Sequence, residues 1–141
     1  MQIFYTILAG VSVYVLGQSI LKLFIEPIQE LRKEIQLVIS DCTYYEHIVL
    51  NMQHIDEELI REASSSLRKR AAELKSKASI VPFLNYFAKC NIVPTHQNIS
   101  DISAKLIGLS NVTTKDGDFK SNGTNYERLV EIEALLKIKR D

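Results

Sequence analysis

The sequence has few of the residues that interrupt or cross-link a chain. Its 141 residues include five glycines, three prolines, two cysteines and no tryptophan. Glycine is too scarce for a phosphate-binding loop, and the patterns GxxxxGK[ST], GxGxxG and GxSxG are absent. Cys42 and Cys90 lack CxxC spacing, which argues against a disulfide scaffold and predicts two half-buried free thiols in a reducing compartment. The composition therefore points away from nucleotide-binding loops and from small cross-linked folds.

The chain also lacks an excess of charge of either sign. Lys and Arg number 17, Asp and Glu number 17, and the formal net charge is zero. A nucleic-acid-binding protein normally carries a positive excess that meets phosphate, so we predict no nucleic-acid partner. His47, His54 and His96 are the only histidines and form no HExxH motif. We therefore predict no metal site, cofactor, small-molecule substrate or catalytic residue, and no enzyme.

Charge is almost missing from the first 25 residues, where Lys22 is the only charged side chain. The apolar run from Ile3 to Ile25 is 23 residues long and would cover about 34 Å as a helix, against a hydrocarbon core of about 30 Å. A cleaved signal peptide would need a basic start and a small-residue cleavage site. The alternative of a buried core helix needs more interior than so small a domain offers. We predict a transmembrane anchor over residues 1–25 and a helical domain over 26–141.

The cations beside the run predict its orientation. Lys22, Arg32 and Lys33 flank its C-terminal end, and the N-terminal end has only the α-amino group. The positive-inside rule then places the N-terminus outside and the C-terminal domain in the cytoplasm.

Two glycines in the run predict helix packing within the membrane. Gly10 and Gly17 are seven residues apart, so they share a helix face on which another backbone can approach closely. Gln18 could add an interhelical hydrogen bond. The alternative is that glycine is simply common in membrane helices.

An apolar seam follows the predicted span. Its steps alternate between three and four residues, which is a heptad a/d pattern, and the same register extends back through the span to Ile3 with a predicted kink at Pro27. Pro27 itself suits the first turn of a new helix. Further apolar residues widen the seam, which favours a bundle over a two-stranded coiled coil. The seam residues are Ile28, Leu31, Ile35, Val38, Cys42, Tyr45 and Val49.

Capping signals divide the rest of the chain. Asp56 is the predicted N-cap of a second long helix, which ends at Val81 before Pro82. Asn98 is the predicted start of a further helix, Asn125 the predicted cap of the last one, and the turn-forming stretch 110–125 a long loop. The predicted fold is all-α: one transmembrane helix, then a small bundle made of a long antiparallel hairpin and two or three shorter helices.

The returning arm of this hairpin should end near the bilayer. It carries five cations against Glu73, and an apolar segment with three aromatic residues follows, as expected of a chain that enters an anionic leaflet. The far end of the hairpin is acidic. The alternatives are a solvated helix face for the cations and a plug of the bundle core for the aromatics. The predicted lipid contacts are Lys22, Arg68, Lys69, Arg70, Lys75, Lys77, Phe83, Tyr86 and Phe87.

Three stretches, EPIQELRKEI, REASSSLRKRAAELKSKASIVPF and LIGLSN, together with the single span, resemble small bacterial single-pass membrane proteins of uncharacterised function. The resemblance covers the chain from about Leu16 to Asn111. It implies a location in the bacterial inner membrane and brings no known activity or catalytic residue.

Two functions are consistent with these features. The first is a membrane-anchored cytoplasmic interaction or scaffold module that self-associates, or binds a membrane protein partner, and contacts anionic lipid. The alternative is a membrane-perturbing effector of the phage-defence or toxin type, whose span multimerises. Gln18 and Ser19 within the span motivate this alternative.

Overall fold

Most of the chain that the structure describes is helical, with short turns between the helices. The computed structural model describes residues 2–50, 56–112 and 119–136, and it contains no strand in these ranges. This confirms the predicted all-α class. The elements are α1 (Gln2–Ile20), a π-helical turn (Leu21–Ile25), α2 (Glu26–Leu50), α3 (Glu57–Ile80), α4 (Leu84–Lys89), α5 (His96–Val112) and α6 (Phe119–Leu136).

The first helix does not stop where the sequence predicts a new one. Helical structure continues without a break from Gln2 to Leu50. Within it, α2 begins at Glu26 and holds Pro27 in its first turn, as predicted, but no break separates it from the preceding helix. The irregularity is the π turn just before α2, where the Glu26 N–H donates to the Leu21 carbonyl. Proline lacks an N–H and crowds the carbonyl four residues earlier, and a widened turn accommodates both effects.

The π turn also changes the register between α1 and α2. A π turn bonds residue i to i+5 instead of i+4, so it holds about one extra residue, which is about 100° of rotation. The apolar seam therefore does not follow one straight line through both helices. The α1 part of the seam is rotated away from the part that packs in the bundle.

Helices α2, α3, α5 and α6 form an up-down-up-down bundle in which each packs on the next and α6 returns to α2. Across α2 and α3, Glu30 pairs with Lys77 at one end and Tyr45 meets Glu62 at the other, as an antiparallel hairpin requires.

Helices α5 and α6 are also antiparallel. Lys105 forms an ion pair with Glu131, and Arg128 lies against Gly108, where an added Cβ would come within 3.2 Å of its Cζ. An open groove of about 680 Å³ runs between these two helices.

The predicted apolar faces form the core. In α2, every seam residue from Leu31 to Val49 is buried and Ile28 is half-buried. The apolar faces of α3, α5 and α6, whose residues repeat every three or four positions in the sequence, are buried in the same way, with only Ile60 and Leu135 half-buried. The buried members of these faces are Ala63, Leu67, Ala71, Leu74, Ala78, Ile99, Ile102, Leu106, Leu109, Leu129, Ile132 and Leu136.

Helix starts were predicted with mixed success. Asp56 is the N-cap of α3, since its Oδ1 accepts the Glu58 N–H at 3.3 Å. Asn98 does not begin α5, however. The cap is Thr95, whose Oγ1 accepts the Asn98 N–H at 3.1 Å. The threonine side chain offers the hydroxyl that an N-cap needs.

The long loop predicted over 110–125 is wrong at both ends. Helix α5 continues to Val112, α6 begins at Phe119, and residues 113–118 lie outside the described residues. Asn125 is not a cap but a fully buried residue within α6, where its Nδ2 donates to the Val49 carbonyl at 3.3 Å. A carbonyl at the end of α2 needs a donor, and this demand outweighs the low helix propensity of asparagine.

Candidate membrane interface

Helix α1 lies apart from the bundle. Each of its residues is exposed, including large apolar side chains such as Ile3 and Val13. Its serine and threonine hydroxyl groups are satisfied within the helix: Thr6, Ser12 and Ser19 each donate to the carbonyl four residues earlier, at 3.1, 2.8 and 2.8 Å. A helix that bonds its own serine and threonine hydroxyls and shows apolar atoms on every side suits hydrocarbon surroundings. By length and composition, it is long and apolar enough to cross a membrane.

The face of α1 that holds the two glycines is open. Among the described residues, a Cβ added at Gly10 or at Gly17 would meet nothing within 4 Å. The described part of the chain therefore leaves room for a second helix there.

The turn between α3 and α4 meets the end of the apolar helix. The rings of Phe24 and Phe83 are stacked, with centroids 6.3 Å apart and an interplanar angle of 10°. Phe83 has a φ of 54°, in the left-handed region that bulky residues avoid. From this conformation its carbonyl accepts the N–H groups of Tyr86 and Phe87 at 2.8 and 3.4 Å, which starts α4.

The segment from Ile80 to Phe87 has two faces. Leu84 is buried, and Phe87 is half-buried against the core. Ile80, Phe83 and Tyr86 are 58, 71 and 74% exposed. One side of this segment therefore plugs the bundle core, and the other side is an exposed apolar surface.

Two of the five cations of the predicted basic arm, Arg70 and Lys77, are paired with carboxylates of α2. The Arg70 Nε donates to Asp41 at 2.8 Å, and its Nη1 lies 3.0 Å from Glu73 and 3.3 Å from Glu34. The hydrogen bond to Asp41 raises the pKa of Arg70. Burial, then repulsion by Glu73, raises the pKa of the Glu34 carboxyl. One arginine thus holds three carboxylates together at the contact between α2 and α3.

The same edge of the hairpin carries further polar contacts. Lys77 donates to Glu30, and this hydrogen bond lowers the pKa of that carboxyl. Ser66 donates to Asp41 at 2.7 Å. We call these contacts, with those of Arg70, the α2–α3 polar ladder. Its α2 members are all acidic. Later residues of α2 pair with earlier residues of α3, so these contacts fit one antiparallel register of the two helices.

Arg68 points to the other neighbour of α3. Its Nε donates to the Ser110 Oγ at 3.0 Å, and its Nη2 donates to the Asn111 Oδ1 at 2.7 Å. Ser64, one turn earlier, donates to the Ser110 carbonyl at 2.8 Å. These bonds join α3 to the last turn of α5, where helix carbonyls lack helical donors.

Of the predicted lipid-contacting cations, Arg68, Arg70 and Lys77 thus have partners inside the fold. Lys22 and Lys75 are exposed, as is Lys69, whose Nζ lies 4.0 Å from Glu73. Sequence reasoning missed the acidic partners on α2, although their spacing holds the signal. Glu30, Glu34 and Asp41 are four and seven residues apart and so lie on one helix face.

The thiols differ from their prediction. Cys42 is buried and Cys90 is exposed, so they are not two half-buried groups. Burial raises the pKa of the Cys42 thiol to about 12. The described residues contain no cluster of three or more His, Cys, Asp or Glu side chains that could hold a metal ion. His54 lies outside the described residues.

Comparison of the chain with protein-family models, with curated proteins and with solved structures finds no match. The resemblance to small bacterial single-pass membrane proteins therefore stays a prediction. The findings that bear on function are the all-α fold and one N-terminal helix that is long and apolar enough to span a membrane.

Proposed function

We propose that the chain is a membrane-anchored interaction module of the bacterial inner membrane. Helix α1 and the π turn cross the bilayer, and the bundle lies in the cytoplasm. The observation that carries this proposal is α1 itself, a 19-residue helix with no buried residue and apolar side chains on all faces. A contiguous apolar surface of this size is not stable in water and needs a membrane or a partner to cover it. At 1.5 Å per residue, α1 rises about 28 Å, and the π turn adds to this length.

The cytoplasmic orientation rests on Lys22, Arg32 and Lys33, which are exposed at the C-terminal end of the apolar helix. Cys90 offers a natural reporter, since it is exposed and belongs to the bundle. Cys42 will not interfere, because it is buried and its pKa of about 12 keeps it protonated.

The orientation is tested with a membrane-impermeant maleimide on spheroplasts that express the full chain. We expect no labelling of Cys90 until the membrane is permeabilised. A Gln2→Cys, Cys90→Ser variant is the matched control and should be labelled without permeabilisation. Labelling of Cys90 in sealed spheroplasts would reverse the proposed orientation.

Self-association is the second part of the proposal. The seam of α2 is buried inside its own bundle, which leaves the open face at Gly10 and Gly17 as the surface for a second copy. Small residues allow close helix contact in lipid, where packing replaces the hydrophobic effect as the driving force. This face supports a homo-oligomer or a membrane protein partner.

Cross-linking of the intact protein in membranes tests this face. We expect Gly10→Leu and Gly17→Leu to remove the cross-linked species. Ser12→Leu adds a similar side chain to the opposite side of α1, and we expect it to leave the species unchanged. An oligomer that persists in both glycine variants would exclude this face. Rapid loss of membrane potential on expression would instead favour the membrane-perturbing effector over the scaffold.

A further inference from the structure

The turn between α3 and α4 exposes more apolar surface than the fold requires. Ile80, Phe83 and Tyr86 are each more than half exposed, while Leu84 and Phe87 of the same segment turn toward the core. The inward residues already cap the bundle. The outward residues therefore form a separate surface, which we call the aromatic corner.

The position of the aromatic corner points to its partner. Phe83 is stacked on Phe24, which lies near the C-terminal end of the apolar helix, where a crossing helix would leave the hydrocarbon. Lys22, half a turn before Phe24, is exposed and long enough to reach the headgroups. The corner is thus continuous with the surface of the helix that the proposed function places in lipid. Aromatic residues are enriched at this depth because their rings span the apolar and polar sides of the interface.

The charges around the corner indicate what kind of contact it makes. Arg70 and Lys77 are paired with carboxylates of α2, and Arg68 is directed toward Ser110 and Asn111 of α5, so the basic arm offers less free positive charge than its composition suggests. Lys22 and Lys75 form no ion pair within the described part of the chain. The burial of apolar side chains, which does not depend on lipid charge, is then the main contribution to the affinity of this surface for the membrane.

We propose that Ile80, Phe83 and Tyr86 form a second membrane attachment that enters the interface of the bilayer crossed by α1. The attachment rests on the proposed function, because it requires α1 to span that bilayer. The bundle is then held at two points, at α1 and at the corner, and lies against the membrane.

The test uses the full chain in nanodiscs of neutral phosphatidylcholine. The sequence has no tryptophan, so one introduced by Phe83→Trp is the sole tryptophan reporter. Lipids brominated on the acyl chains quench tryptophan that reaches them. We expect Phe83→Trp to lose at least about half of its emission and to shift to the blue, as for a side chain about 5–10 Å inside the interface.

Two matched reporters control for position. Tyr44→Trp replaces an exposed aromatic residue of α2 about 27 Å beyond Glu26 along the helix, and it should not be quenched. Tyr14→Trp lies in the middle of α1 and should be quenched strongly. Ile80→Trp repeats the corner measurement in case Phe83→Trp does not fold, as judged by circular dichroism.

The outcomes separate the two proposals. Quenching at Tyr14→Trp but not at either corner reporter would overturn the second attachment and leave the span in place. No quenching at Tyr14→Trp would overturn both. Corner quenching that appears only in anionic lipid would overturn the apolar attachment and show a charge-driven contact. Corner quenching in neutral lipid, with Tyr44→Trp unquenched, supports the proposal.

Discussion

Replacing Arg70 is the strongest test of the α2–α3 polar ladder, and we predict how much it lowers the free energy of unfolding. Arg70→Met keeps the apolar stem but leaves Glu34 and Asp41 without their cation, and their side chains are only 7 and 18% exposed. Breaking a fully buried pair costs about 3–5 kcal/mol. Because the Arg70 side chain is 20% exposed and water reaches the site, we expect a loss of about 2–3 kcal/mol near neutral pH.

The loss should shrink as the pH falls. Glu34 has a pKa above its ordinary value, so the folded state binds its proton at a higher pH than the unfolded state does. Removal of Arg70 should raise this pKa further, because the charge and hydrogen bond of Arg70 lower it in the wild type and Glu73 still repels the carboxylate in the variant. Where the folded state holds more protons, stability increases as pH decreases. The gap between Arg70→Met and the wild type should therefore be smaller near pH 5 than near pH 7.

The measurement is urea unfolding of the full chain in a nonionic detergent, followed by circular dichroism. Lys69→Met is the matched control, since this neighbouring side chain is 69% exposed and its removal should cost about 0–0.5 kcal/mol. Adding Glu34→Gln to Arg70→Met should restore part of the loss. An Arg70→Met variant as stable as the Lys69→Met control, or a loss that does not change with pH, would refute this reasoning.

Three further changes test single contacts by the same unfolding measurement. Asn125→Ala removes the donor to the Val49 carbonyl, which leaves a buried acceptor unpaired, and we expect a loss of about 1–3 kcal/mol; an unchanged midpoint would mean that water satisfies the carbonyl. Thr95→Ala should cost about 1 kcal/mol as the loss of an N-cap, and Asn98→Ala much less; the reverse order would return the cap to Asn98. Gly108→Ala should stabilise by about 0.5–1 kcal/mol through helix propensity, provided the flexible guanidinium 3.2 Å from the new Cβ moves aside; a destabilised variant would show that it cannot.

The core was predictable because its signal is local. The seam from Leu31 to Val49 and the apolar faces of α3, α5 and α6 repeat every three or four residues, and a helix with such a stripe has one way to bury it. The cap at Asp56 and the end of α3 before Pro82 also depend on near neighbours in the sequence. These features need no knowledge of the rest of the chain.

The errors lie where distant residues decide. Asparagine is a residue type typical of caps, yet Asn125 lies within a helix, where it donates to the carbonyl of Val49, 76 residues away in the sequence. The cations at Arg70 and Lys77 look free in the sequence, because their carboxylate partners belong to another helix. The contact of Phe24 with Phe83 depends on the return of α3 and on a left-handed residue, and neither is encoded in a short pattern.

The continuous helix from Gln2 to Leu50 leaves no swivel between the apolar segment and the core. A tilt or twist of α1 must turn α2, and with it the packed seam, or it must open a turn on the way. We expect the helix to bend at the π turn, Leu21–Ile25, because a hydrogen bond there spans five residues instead of four and Pro27 beside it has no N–H to donate. These few residues thus decide whether a motion of the anchor is transmitted to the bundle or absorbed before it.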